Sequence, residues 1–390
     1  MKLIIIHITG LATEALEELE GRTLLEAADV AALDAMARNG ACGTARLLPE
    51  GTIGGPGAEF LGMMGGLRQS PDLPSLGALE ALGIGAPLYA RDIAFRVNLS
   101  SLDDDGVVAN TTGAGLPEQD MMTLMEEIDR RLSTRRRNFY PGRYFAHLMV
   151  WTDGPTDLRC VAAPEACGKS LEDVMPVGDG DGPLGEFIWD SVGLLNDHRI
   201  NHERREEGLA PVNLIWPWAP GRLPEYRNFA LNTGLSAGAL ARRFDVLGAA
   251  KALGIGADVP GHSVEALRAG LTARAAESAL AYLHVDAREY FEHPDEPETH
   301  VSAVTGLDTW LVGPVLEAVR ASAEATRLVV IGTQVDSSWA ERPPAIWAAF
   351  PALQGRGAVT DIFSEAAVTE EGLALDEPDR IFNESMVEPG

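Results

Sequence analysis

The sequence predicts an α/β protein, with a mainly parallel sheet covered by helices as its core and a smaller α+β domain inserted in the chain. Three observations predict it. The chain opens on the apolar run Leu3–Ile8, which reads as a buried strand. Short apolar runs then alternate with segments of helical period, the order that a parallel sheet with crossover helices requires. From Val107 to Glu186 the composition shifts to Gly, Pro and Asp, as an insertion would show.

The elements follow in order. After the first strand, Thr23–Asn39 reads as one helix, with Thr23 as its N-cap and Gly40 as its stop. In the middle, Pro117–Leu132 has helical period, Tyr144–Trp151 is a strong strand, and GDGDGP at Gly178–Pro183 is turn chemistry. Later, helix Val264–Ala281 runs into strand Tyr282–Val285, and helix Val312–Thr326 into strand Leu328–Gly332. Ligands of such sheets sit in the loops after the strand C-termini, which begin here at Thr9, Asp286 and Thr333. The core is thus expected in residues 1–110 and 187–390, resuming near Phe187, with the insertion in 111–186. The acidic tail beyond Val368 reads as a surface wrap or a frayed end.

Composition excludes several classes. With 390 residues, 46% hydrophobic and 23% charged, the chain can bury a large core and is not a disordered protein. A formal charge of −27 argues against nucleic-acid or anionic-membrane partners, which need a positive face. Cys42, Cys160 and Cys167 have no paired spacing, so neither a zinc motif nor a disulfide framework is suggested, and a reducing compartment fits. The opening run is too short for a secretory signal, and no apolar run approaches bilayer length. The expectation is a soluble, cytoplasmic protein.

Several segments carry candidate chemistry. PEGTIGGPGAEFLGMMGG, residues 49–66, holds seven glycines, which invites a phosphate-cradling reading. It lacks the Lys and Ser or Thr of a P-loop, so the pattern favours a flexible loop. HVDAREYFEHPDEPETH, residues 284–300, is the densest set of metal-binding side chains; Glu289 and His293 are four apart and would share a helix face. A solvated acidic turn explains that segment equally well. His198 and His202 repeat the spacing inside a charged stretch better read as a solvated helix face. Asp129–Arg137 with Arg143 is either an anion-binding wall or a solvated helix end. Trp216 and Trp218 read as a packed strand end. No GxSxG elbow occurs.

Thr23–Gly43, Leu76–Gly85, Arg91–Leu99, Leu194–Gly221 and Val246–Ile255, taken in order, resemble the archaeal-type cofactor-independent phosphoglycerate mutases of the alkaline phosphatase superfamily. The resemblance runs over most of the chain. It implies a doubly wound core around two adjacent Mn or Zn ions, a nucleophilic Ser and a smaller inserted cap domain. It also implies where those groups belong, and there this chain departs. The family's first strand ends in a metal-binding Asp-Gly; here the pair is Thr9-Gly10. The family's Pro-Gly-Ser-Asp loop aligns with Gly55-Pro56-Gly57, so Pro56 takes the nucleophile's position, and Thr52 is the loop's only hydroxyl. The family's Asp-x-x-x-His looks like Glu289 and His293, while its Asp-His pair falls on Gln334-Val335. Its substrate arginines become Asn110-Thr111-Thr112 and Leu76.

Three functions remain open on these residues. The first is a degenerate mutase homologue without phosphomutase activity, binding a small anionic ligand or a protein partner, with no cofactor or at most one divalent ion (Mn or Zn) on Glu289 and His293. Its pocket would draw on His7, Thr9, Asp92, Arg96, Arg143, Asn201, Arg204 and Asp336. Asp92, Arg96, Asn201 and Arg204 could equally serve the fold. The second is an enzyme rebuilt in the same cleft on His7, Glu289, His293 and Asp336. The third is an active metal-dependent mutase. Losing nucleophile and metal ligands together is decisive for phosphoryl transfer, because phosphate-monoester chemistry needs accelerations up to ~10²¹-fold.

Overall fold

A strand apolar on both faces is stable only with neighbours on each side and helices above and below. The opening run meets that condition. In the computed structural model, which describes residues 1–50, 54–70, 73–143, 145–292, 296–334, 343–353 and 360–387, it forms β1 (Lys2–Thr9), followed by β2 (Ala41–Ala45). Next come β3 (Ile93–Leu102), β4 (Val108–Asn110), β5 (Arg137–Arg143), β6 (Ala146–Trp151), β7 (Leu158–Arg159), β8 (Val177–Gly178) and β9 (Leu214–Gly221). The chain ends with β10 (Ala237–Leu240), β11 (Gly256–Asp258), β12 (Leu280–Asp286), β13 (Thr326–Thr333), β14 (Ala345–Phe350) and β15 (Leu373–Leu375).

The chain divides into two compact units, residues 73–224 and the remainder. The larger unit holds an eight-stranded sheet in the order β11-β10-β12-β1-β13-β14-β2-β15. Its pairs are parallel except those of β14, so the expected mainly parallel α/β core is present. The register sets Thr9 beside both Asp286 and Thr333, which brings three strand ends into one row. Beneath one face, Ile4, Ile6, Ile8, Leu283, Leu328 and Val330 join a continuous apolar core.

The expected helix Thr23–Asn39 is two helices, α1 (Leu24–Ala27) and α2 (Ala31–Asn39). Thr23 does cap the first: its hydroxyl accepts from Glu26 N at 3.2 Å, and the Glu26 carboxylate accepts from Thr23 N at 3.0 Å. The break arises from a distant residue. Buried Asp308 accepts from Ala32 N at 2.9 Å and Leu33 N at 3.0 Å, supplying the first turn of α2 with acceptors from outside. The glycine-rich stretch also departs from expectation. Described residues 56–63 form α3 (Pro56–Met63), buried along its whole length, with Pro56 at its first turn. The acidic tail is no fray: β15 pairs with β2, and Ile381 and Phe382 are buried.

The smaller unit is more extensive than residues 111–186. Ile93–Leu102 and Leu214–Gly221, expected in the core, pair with each other as β3 and β9, setting Asn98 opposite Trp216. Its five-stranded sheet runs β4-β3-β6-β5, with β9 also paired to β3. The GDGDGP turn gives way to a helix at Asp181–Asn196, and Gly180, at φ 84, takes the left-handed conformation just before it. Phe187 therefore lies mid-helix, stacked on Phe139 at 5.2 Å, and does not mark the resumption of the core. Among the described residues no helix is long and apolar enough to cross a membrane.

Candidate functional site

Side chains of a strand alternate between faces, so polar residues two apart share one side of the sheet. Along β1 these are His7 and Thr9; along β12, Tyr282, His284 and Asp286; Thr333 closes β13. All six are buried and lie side by side. His7 Nδ1 is 2.8 Å from the Tyr282 hydroxyl, and its Nε2 is 3.1 Å from Thr333 Oγ1 and 3.5 Å from Glu59 Oε2. Thr9 Oγ1 is 3.1 Å from His284 Nε2 and 3.3 Å from Thr333 Oγ1. Burial holds the Tyr282 phenol well above its usual range, so its proton stays in place and can donate to His7. Burial, then the nearby Arg243 guanidinium, lowers His284 to about 4, so this imidazole is neutral at physiological pH.

Two helices cover this polar face of the sheet. Phe60 of α3 meets the Tyr282 ring edge-on at 4.7 Å. The helix Phe244–Ala252 crosses the start of α3 closely enough that a Cβ on Gly57 would lie 2.5 Å from the Asp245 carbonyl oxygen. There Gly57 N donates to Asp245 Oδ2 at 3.1 Å. A helix start attracts an anion, and the one present is this carboxylate. Arg243 grips it with both arms, Nε to Oδ1 at 3.0 Å and Nη2 to Oδ2 at 3.2 Å. Burial pushes Asp245 up, but Arg243, His284 and the Gly57 amide outweigh it and hold the carboxyl at about 2. Asp286 is gripped in the same way by Arg288, at 2.9 and 2.5 Å, with Arg243 Nη1 at 3.7 Å. Burial again opposes ionisation, and the two guanidiniums keep Asp286 below the usual carboxylate range.

A centre for two metal ions does not fit this donor set. The carboxylates of Asp245 and Asp286 are already paired with guanidiniums, and the hydroxyls and imidazoles hydrogen-bond one another. Among the described residues, no group of three or more His, Cys, Asp or Glu is placed to hold a metal. Glu289 accepts from Arg242 Nε at 2.7 Å, with His262 at 3.9 Å. His293, Asp336 and Thr52 lie outside the described residues.

The remaining candidates lie in the smaller unit and are tied into its backbone. Asp92 accepts from Tyr89 N at 3.0 Å and Asp153 N at 3.3 Å. Arg96 pairs with Glu80 at 2.8 Å and lies 5.5 Å over the Trp218 ring. Asn201 donates to the Leu195 and Val212 carbonyls and accepts from Val212 N. Arg204 reaches the carbonyls of Ala210 and Ala114. Arg143, half-buried, ends β5 opposite Ala146. His198 Nδ1 accepts from Ile200 N at 3.2 Å as the N-cap of its helix, and Trp216 is fully buried, as a packed strand end would be. His7 and Thr9, together with His284 and Asp286 of the 284–300 cluster, are thus the candidates brought together at the strand ends. Tyr282, Thr333, Arg243, Asp245 and Glu59 were not anticipated as site residues; the alternation Tyr-x-His-x-Asp along β12 was the available signal.

The sequence profile of the family described as 2,3-bisphosphoglycerate-independent phosphoglycerate mutase matches residues 37–201. A Geobacter sulfurreducens protein named "Probable 2,3-bisphosphoglycerate-independent phosphoglycerate mutase" is 33% identical over 81% of this chain and 82% of its own length. The mutase of that name from Methanosarcina acetivorans is 30% identical over 85% of each chain. Among solved structures, a Pyrococcus horikoshii protein superposes with TM-score 0.76 at 19% identity, covering 99% of this chain and 96% of that one. The cofactor-independent phosphoglycerate mutase of Thermoplasma acidophilum superposes with TM-score 0.60 at 17% identity, covering all of both chains. By the identity and coverage of these relatives, the chain belongs to the family of 2,3-bisphosphoglycerate-independent phosphoglycerate mutases.

Proposed function

We propose that this member of the family has no phosphomutase activity and serves in the cytoplasm as a binding protein, for a small anionic ligand or a protein partner. Two positions carry the reading. At the end of β1, where the resemblance places a metal-binding Asp, Thr9 shares its hydroxyl with His284 and Thr333. At the start of α3, where the phosphoryl-accepting Ser belongs, stands Pro56, whose side chain offers no nucleophile. On this reading the protein needs no cofactor, and any residual metal is at most one Mn or Zn ion near Glu289. Interconversion of 3- and 2-phosphoglycerate by pure protein supplied with Mn²⁺ tests it. No turnover above the protein-free control is expected; turnover abolished by EDTA would overturn the reading.

A second reading, an active metal-dependent mutase, is favoured by the names of relatives about 30% identical. It requires ligands that this sequence does not place at the strand ends. The same assay decides between the two.

A further inference from the structure

We propose that the strand-end site has replaced divalent metal with the chain's own charges. Arg243 and Arg288 are its resident cations, and the Asp245 carboxylate is its resident anion at the start of α3. The inference rests on the family reading above, which places metal and phosphoryl acceptor at these strand and helix ends.

Asp245 and Asp286 each have both oxygens engaged. Asp245 is held by Nε and Nη2 of Arg243, and Asp286 by Nε and Nη2 of Arg288. A guanidinium carries a permanent charge and a planar fork of donors, so it saturates a carboxylate that a metal would otherwise bind. A Zn or Mn ion at roughly 2.0–2.2 Å from those oxygens would have to expel a guanidinium and leave it beside a doubly charged ion. The other donors offer no substitute. Thr9, Thr333 and His284 present neutral hydroxyls and a neutral imidazole already bonded to one another. The anion position is filled in the same way. Asp245 Oδ2 takes the Gly57 amide at 3.1 Å, so an oxyanion approaching the start of α3 would meet a carboxylate. Asp245 and Asp286 are thus matched by Arg243 and Arg288 without any ion from solution.

The test equilibrates the full chain with Mn²⁺ and Zn²⁺, removes the excess by gel filtration, and measures metal per chain and thermal unfolding with and without EDTA. The expected result is below about one-tenth of an ion per chain, with a melting temperature that moves by less than roughly 1 °C on adding EDTA or Mn²⁺. Arg243→Gln and Arg288→Gln are each expected to lower the melting temperature by several degrees, whether or not metal is present. One or two tightly held ions whose removal lowers the melting temperature would overturn the inference, as would variants that melt like the parent. Should Arg243→Gln not fold, Arg288→Gln, at the more exposed site, decides. A metal-bound but inactive protein would sink this inference alone, whereas a metal-free active one would sink only the functional reading.

Discussion

Asp245 joins three segments far apart in sequence, since its carboxylate meets the Gly57 amide 188 residues away and is coupled electrostatically to His284. Removing one partner of a buried ion pair strands the other. Asp245→Ala is therefore expected to cost about 3 kcal/mol, read as a lower urea midpoint at unchanged slope. The ionisation of these residues also fixes how acid acts. His284 has a folded value of about 4 against 6.5 for the free side chain, so the unfolded chain binds more protons between the two. Its contribution is complete above pH 6.5 and falls away as the pH drops to about 4. That gap of about 2.5 pH units corresponds to about 3 kcal/mol. Asp245, at about 2 against 3.8, acts lower: its contribution is present above 3.8 and lost as the pH falls to about 2. Asp308 acts the other way: burial raises it from 3.8 to about 6, so its contribution grows as the pH falls from 6 to about 4 and offsets much of that loss. The buried neutral imidazole is therefore checked on the His284 ring resonances, which should titrate near 4; titration near 6.5 would contradict it.

At the scale of elements, the close crossing of α3 and the helix Phe244–Ala252 depends on Gly57. A methyl group there would lie 2.5 Å from the Asp245 carbonyl oxygen and 2.7 Å from its carbon, both backbone atoms that cannot swing aside. Gly57→Ala should cost about 2 kcal/mol or more by forcing the helices apart, measurable in the same denaturation series. Sequence made some of these elements plain. β1, β12 and β13 announce themselves as apolar runs, because a central parallel strand buries both faces. β3 and β9 were misplaced because their pairing joins segments more than a hundred residues apart, and nothing local in either tells which sheet it enters. The break between α1 and α2 was hidden for the same reason, its cause being Asp308. At the site, His7 and Thr9 were reached through the family resemblance. Arg243 and Asp245, two apart in a charged stretch, look like ordinary surface charge until the fold buries them.

The molecule as a whole carries a formal charge of −27, so folding gathers many like charges onto one surface. Such self-repulsion is screened by salt, with a Debye length of about 30 Å at 0.01 M and about 8 Å at physiological strength. The melting temperature should therefore rise by a few degrees between those conditions; a fall would mean that favourable ion pairs outweigh net repulsion. One further consequence follows from the place of β1 in the sheet. It leaves the ribosome well before both its neighbours, with the His7–Tyr282 contact spanning 275 residues. At roughly 5–20 residues per second, that delay is on the order of tens of seconds. For that interval this apolar segment of the nascent chain lacks the strands that flank it in the fold, which leaves it open to chaperones and, on a stalled ribosome, to unwanted contacts.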